Sequence, residues 1–261
     1  MTSGVAGAKL KLMRAREHVD MLDAAVKRFR QSHPYEFRPE CKPNEPGTPD
    51  VFIRVVVTQA HDIPDTWPLV VGDALTNLRA ALDHAVYPHI RRQRPNMADR
   101  DIQYPIHNTR AQFENKTRFF TRPVYQVVND SQPYRATEPQ WHPLAVLRDL
   151  VNCDKHRTLI VSNYATMQIN LSVDTELFDV VEKLAFTDKV MDVGAVVGGA
   201  HLRLKRAVTG WEVAQFRSEV GYTEAIEIPN TNGQAHGMLS TMQNLCDTVE
   251  SLLTDLEDAG V

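Results

Sequence analysis

Residues Val70 to Ile90 read VVGDALTNLRAALDHAVYPHI. Leu75, Leu78, Leu82 and Ala85/Val86 recur at i, i+3, i+7 and i+10/11, the apolar stripe of a helix that faces a core. Asp73, Asn77, Ala80 and His84 run along a neighbouring face, and Arg79 and Asp83 stand one turn apart. Pro68 precedes the helix and Pro88 follows its last periodic residues, so proline punctuates both ends. A core-facing helix seldom needs Arg, Asp and His together merely to stay soluble, so this stretch is the first place to look for a site.

Outward from this helix, the periodicity sorts the rest of the chain. Ala8 to Arg30 places Leu10, Met13, Val19, Leu22 and Val26 among charges as an amphipathic helix that stops at His33-Pro34. Phe37 to Asp50 holds Pro39, Pro43, Pro46, Gly47 and Pro49 and reads as an irregular loop. Val51 to Ala60 (VFIRVVVTQA) is β-branched and short, a strand. Tyr104 to His107 reads as a short extended piece, Arg110 to Phe120 as helix or loop, and Val124 to Asp130 as helical or extended. Pro143 opens a second compact helix, PLAVLRDLVNCDKHRTL, at the position where its fixed φ suits a first turn.

From Thr158 the pattern turns to strands: 158–162, 166–173, 195–205 and 222–228. Gly194, Gly198-Gly199, Gly210, Gly221 and Asn232-Gly233 supply turns. Met238 to Leu256 closes the chain as an amphipathic helix. Helices and strands are segregated and no repeated βαβ unit appears, which predicts an α+β fold. The N-terminal, central and C-terminal helices pack with a mainly antiparallel sheet in the second half. We expect one domain over 1–261, helical mainly over 8–157, with the sheet mainly over 158–230 and a closing helix at 238–257.

The chain has 261 residues, 43% of them hydrophobic, enough to bury a full core. Its net charge is −4, so no overall basic signature points to nucleic acid. The distribution is uneven. From Arg79 to Arg122 nine Lys/Arg stand against four acids, whereas Met238 to Val261 holds five acids and no Lys or Arg. This permits a basic surface beside the central helix, although most charge runs are solvated faces. Cys41, Cys153 and Cys246 form no CxxC pair or disulfide pattern. No apolar signal core and no membrane-spanning run is visible, so a soluble cytoplasmic protein is expected.

Two polar clusters stand out. In Arg79-Ala-Ala-Leu-Asp83-His84, an Arg fork suits phosphoryl charge and a His of near-neutral pKa suits proton transfer. The plainer account pairs Arg79 with Asp83 at i, i+4 and hydrogen-bonds His84 inside the core. In Asn152-Cys-Asp154-Lys155-His156-Arg157, Lys155 and Arg157 are suited to clamp a phosphate while Asp154 orients His156. The plainer account there is a helix C-terminus decorated by cations, as the macrodipole favours. Asp83, His84, Asp154 and His156 offer metal-ligand atoms, but no HExxH or HxH spacing supports a metal site and the neighbouring cations oppose one. GAVVGG at 194–199 is neither a GxGxxG nor followed by a helix. His61, His89, His107, His142 and His236 are scattered, and Trp67, Trp141 and Trp211 fit packing roles.

Arg79 and His84, separated by four residues, resemble the motif of the HEPN superfamily, helical-bundle proteins that include metal-independent ribonucleases. The family usually has a polar residue directly after the Arg, where this chain has Ala80. The resemblance implies that Arg79 contacts the scissile phosphate, His84 acts as acid/base and Asp83 orients, leaving cyclic phosphate ends. It also implies a homodimer. GDALTNLRAALDH, SQPY and HPLAVLRDLVNCDKHRTL, over Gly72 to Leu159, are similar to a widespread group of bacterial and phage proteins without assigned function. That similarity implies that the central helix and the DKHR turn meet. Asp73, Asn77, Asp154, Lys155, His156 and Arg157 would then bind substrate beside Arg79, Asp83 and His84. The expected function is a HEPN-like ribonuclease or RNA-binding protein with no metal or other cofactor. The alternative is a non-catalytic structural or interaction protein whose charged clusters form a buried network.

Overall fold

Helix-period and strand-period stretches become an ordered series of elements in the computed structural model, which describes residues 4–43, 48–114, 117, 119–185, 190–206, 216–232 and 234–261. The order is α1 (Gly4–Gln31), β1 (Tyr35–Pro43), β2 (Asp50–Ala60), α2 (Thr66–Gln93), α3 (Arg110–Glu114), α4 (Arg122–Asp130), α5 (Pro143–His156), β3 (Val161–Ser172), β4 (Phe178–Ala185), β5 (Val196–Leu204), β6 (Arg217–Glu227), β7 (Ala235–Gly237) and α6 (Met238–Asp258). The class is α+β, with helices towards both ends of the chain and a mainly antiparallel sheet arrangement. Pro46, Gly47, Lys116, Arg118, Gly210, Trp211 and Gly233, which the sequence assigns to loops, turns, charge or packing, lie outside the described residues.

The chain forms two units. The helical one contains the residues up to Ala25, Pro64–Val161 and those from Ile226 onward. Here α2 packs against α5 and α6, and α4 against α6. The stripe foreseen on α2 is buried: Leu75, Leu78, Leu82, Ala85 and Val86 are fully enclosed, as are Leu144, Leu147 and Leu150 of α5 and Met242 and Leu256 of α6. Burying each such side chain contributes about 1.5–3 kcal/mol, so packing rather than helix propensity holds α2 in place. Ion pairs join Lys9 to Glu257 and Arg16 to Asp247 and Glu250, tying the N-terminal half of α1 to α6.

The prolines of α2 act differently from expectation. The helix begins at Thr66, so Pro68 lies inside its first turn, where a missing N–H costs nothing. Pro88 lies in the helix interior and does not end it. It removes the donor that the carbonyl of His84 would use. The helix nevertheless continues to Gln93 because His89 and Ile90 beyond it are buried.

The second unit comprises Val26–Ile63 and Ser162–Ala225. Its antiparallel sheet has the order β1-β2-β5-β4. Val51, Ile53, Val55 and Val57 alternate inward along β2, packing with Phe178, Ala200 and Leu202 at one end and with Met191 and Val197 at the other. A second sheet has the order β3-β6-β7. The predicted loop at 37–50 is corrected over 37–43, while 44–47 lie outside the described residues and 48–49 are irregular. β1 pairs with β2 from Tyr35↔Ala60 to Pro43↔Val51 despite containing two prolines. It is an edge strand, and on its open side a proline forfeits no ladder bond. β4 is the other edge; Asp179 to Lys183 are all exposed and its register shifts between Val180 and Glu182, so it has no alternation to read in the sequence.

Candidate functional site

The short extended piece at Tyr104–His107 belongs to no sheet, so its buried backbone groups need other partners. Side chains provide them. Asp83 Oδ1 accepts from the Tyr104 N–H at 2.8 Å, and Arg79 Nη2 donates to the Tyr104 carbonyl at 2.9 Å. Arg79 and Asp83 are themselves paired at 3.0 Å, as their i, i+4 spacing allows. Gln132, fully buried, accepts from the His107 N–H at 3.0 Å and donates to the Pro105 and Val128 carbonyls, each at 2.9 Å. Arg148 Nη1 reaches the Ile106 carbonyl at 3.4 Å and Asn108 Oδ1 at 3.0 Å. Arg148 is held in turn by buried Asp149, which also accepts from Asn230. Burial pushes the Asp83 carboxyl above the usual carboxylate range, while Arg79, the Tyr104 N–H and His84 pull it back.

This segment forms one side of a cleft of about 560 Å³, all within the helical unit. Arg79 of α2, Arg148, Asn152 and Lys155 of α5, Arg100 and Asp101 of the 3-10 turn Asp99–Asp101, and Met97 and His107 of the irregular chain all line it. Among the described residues four cations therefore face one carboxylate. Arg79 and Arg148 are paired with acids, but Arg100 and Lys155 have no ion pair among the described residues. The rim is built by Arg91, which donates to the Pro95 carbonyl at 2.7 Å and the Met97 carbonyl at 2.6 Å and pairs with Asp99. Such a surface is suited to bind an anion with several oxygens, each able to accept from Arg or Lys.

The predicted site residues are only partly gathered there. Arg79 and Lys155 line the cleft, and Asp83 stands behind Arg79. His84 is exposed and does not line it; a Cβ placed on Gly7 of α1 would lie 3.6 Å from its Nδ1. Five residues along a helix turn a side chain by about 140° relative to its starting direction, which separates His84 from Arg79. Asn77 donates to the carbonyl of Asp73 within α2. His156 and Arg157 are exposed, with Arg157 Nε 3.2 Å from Cys153 Sγ.

Sequence reasoning missed Arg100, His107, Arg148 and Gln132. For Arg148 a signal exists, because Arg148, Val151, Asn152 and Lys155 fall at i, i+3, i+4 and i+7 on one face of α5. Two of the other scattered histidines, His89 and His142, have structural duties. His89 Nε2 accepts from the Thr121 N–H and His142 Nδ1 from the Leu144 N–H, and burial holds both below the ordinary imidazole pKa.

The central helix and the DKHR turn do meet, at Gly72. A Cβ there would fall 2.6 Å from Asp154 Oδ1, so glycine leaves room for the Asp154 carboxylate against α2. Burial, and secondly the nearby charge of Asp73, raises the pKa of Asp154. Its ionisation therefore costs more in the folded than in the unfolded chain. The contribution is favourable below the ordinary value of 3.8 and is lost as pH rises through the raised value. Asp154→Asn is expected to raise the melting temperature at neutral pH and to leave it unchanged below that ordinary value. An equal shift at both pH values, read by circular dichroism, would assign the effect to packing instead.

Among the described residues no group of three or more His, Cys, Asp or Glu is placed to hold a metal ion, and no helix is long and apolar enough to cross a membrane. Comparison with protein-family models, curated proteins and solved structures finds no match for this chain.

Proposed function

We propose that the chain is a cytoplasmic RNA-binding protein whose strand passes through the cationic cleft. The observation that carries this reading is the convergence of Arg79, Arg100, Arg148 and Lys155 on one hollow, where Asp101 is the single carboxylate lining it among the described residues. Arg100 and Lys155 are the contacts offered to phosphate, whereas Arg79 and Asp83 hold the Tyr104 backbone in place. RNA cleavage without metal, which the HEPN resemblance implies, is the enzymatic form of the same proposal. His107 is then the acid/base group available inside the cleft, and His84 serves only a strand running outside it. The homodimer implied by that resemblance is read by light scattering.

A second reading has the Arg79–Asp83 clamp in its favour: the polar clusters are purely structural and the chain binds no nucleic acid. Fluorescence anisotropy with a labelled single-stranded RNA separates the two. The double substitution Arg100→Ala/Lys155→Ala is expected to weaken binding at least tenfold. Each lost phosphate contact also lowers the slope of log affinity against log salt by about 0.7. Unchanged affinity, or no binding by the native chain, would overturn the RNA reading. Incubation in EDTA with His84→Ala and His107→Ala tests cleavage in parallel, through the appearance of cyclic phosphate ends.

A further inference from the structure

A second hollow, of about 410 Å³, opens beside the cationic cleft and is lined by Gln93, Arg94, Pro95, Asn96, Met97 and Phe119. Met97 and Phe119 line both hollows, so the two are lobes of one depression. Their chemistry differs. The first gathers Arg100, Arg148 and Lys155 around Asp101, Asn152 and His107, and the second sets a phenyl ring, a thioether and a proline ring beside two side-chain amides and the guanidinium of Arg94. The second lobe is constructed, because Arg91 fixes the Pro95 and Met97 carbonyls from beneath the turn. The Phe119 ring is half-buried and braced edge-on by Phe120, with centroids 5.0 Å apart and planes at 61°.

We propose that this two-lobed depression seats one nucleotide. The phosphate lies among Arg100, Arg148 and Lys155, and the base lies against Phe119 and Met97 with Gln93 and Asn96 at its polar edge. Each lobe asks for one half of such a ligand. Phosphate alone leaves the aromatic lobe unused, and an apolar ligand leaves the cations unneutralised. Both lobes fall within the roughly 300–1,000 Å³ typical of small-ligand pockets. An aromatic face accepts any base, so the lobe confers preference for a nucleotide over a sugar phosphate without demanding one sequence. The inference rests on the reading of the cleft as a phosphate site. A free nucleotide and the phosphorylated end of an RNA strand present the same chemistry.

Calorimetric titration of the full chain with pyrophosphate, ribose 5-phosphate, AMP and a short 5′-phosphorylated RNA tests it. AMP is expected to bind about tenfold tighter than ribose 5-phosphate, the scale of one base stacked on an aromatic side chain. Phe119→Ala should reduce AMP to the affinity of ribose 5-phosphate, and Phe119→Trp should restore the difference. Tighter binding of the RNA than of AMP assigns the seat to a strand end; equal binding assigns it to the free nucleotide. If pyrophosphate binds but AMP gains nothing over ribose 5-phosphate, the base seat is overturned and the phosphate cleft stands. If none of the four ligands binds, both fall together.

Discussion

Replacing Gln132 by methionine is expected to cost the protein about 3–5 kcal/mol of stability while keeping the volume of the side chain. Gln132 is fully buried, and its amide serves the His107 N–H and the Pro105 and Val128 carbonyls. A thioether serves none of the three. Each buried backbone group left without a partner costs about 1–3 kcal/mol, and the Val128 carbonyl, at the end of α4, suffers least because it also accepts from Ser131 Oγ. Urea denaturation measures the loss. The same substitution should weaken ligand binding, because Pro105 to His107 would no longer be held to the turn after α4. A loss below about 1 kcal/mol would show that water or a shift of the chain replaces the amide readily.

Gly199→Ala is the second large effect. A Cβ at this position in β5 would fall 2.3 Å from the carbonyl oxygen of Ile53 in β2. Both are main-chain sites in paired strands, opposite one another near Arg54↔Gly199, so no side chain swings aside to relieve the clash. Ile53, Ala200 and Leu202 around it are buried, and separating the strands would open that core. A destabilisation above about 3 kcal/mol is expected, at the upper end for overpacking. Amide hydrogen exchange locates it: β2 and β5 should lose protection while α2 and α5 retain theirs. Full protection across β2 and β5 in the variant would refute the close approach.

Much of the fold is legible in sequence wherever one face of an element is buried and the other is not. Helices α2 and α6 and strand β2 have that contrast and are found at the expected places. β1 is not legible, because the prolines that usually mark a loop are tolerated at an edge. Pro88 misleads for a related reason, since the burial of His89 and Ile90 outweighs the lost hydrogen bond. The cleft is half legible. Arg79 and Lys155 stand out as charges on helices, but the contiguous run Asp154 to Arg157 spreads around its helix instead of facing one way. Only Lys155 of that run lines the hollow. Arg100 lies in a single 3-10 turn (Asp99–Asp101) and His107 in irregular chain, both too short for a period to indicate direction. Their positions follow from partners that local sequence does not reveal.

The extended segment at 104–107 also bears on when the cleft comes into being. Its partners lie 21 to 42 residues away along the chain, on α2, on the turn after α4 and on α5. Closing loops of that length is entropically costly until the helices themselves have docked. Helical turns form early and locally, whereas this wall has no local hydrogen-bonding pattern to fall back on. The cleft is therefore expected to form late in folding, after the helices that carry its partners have docked.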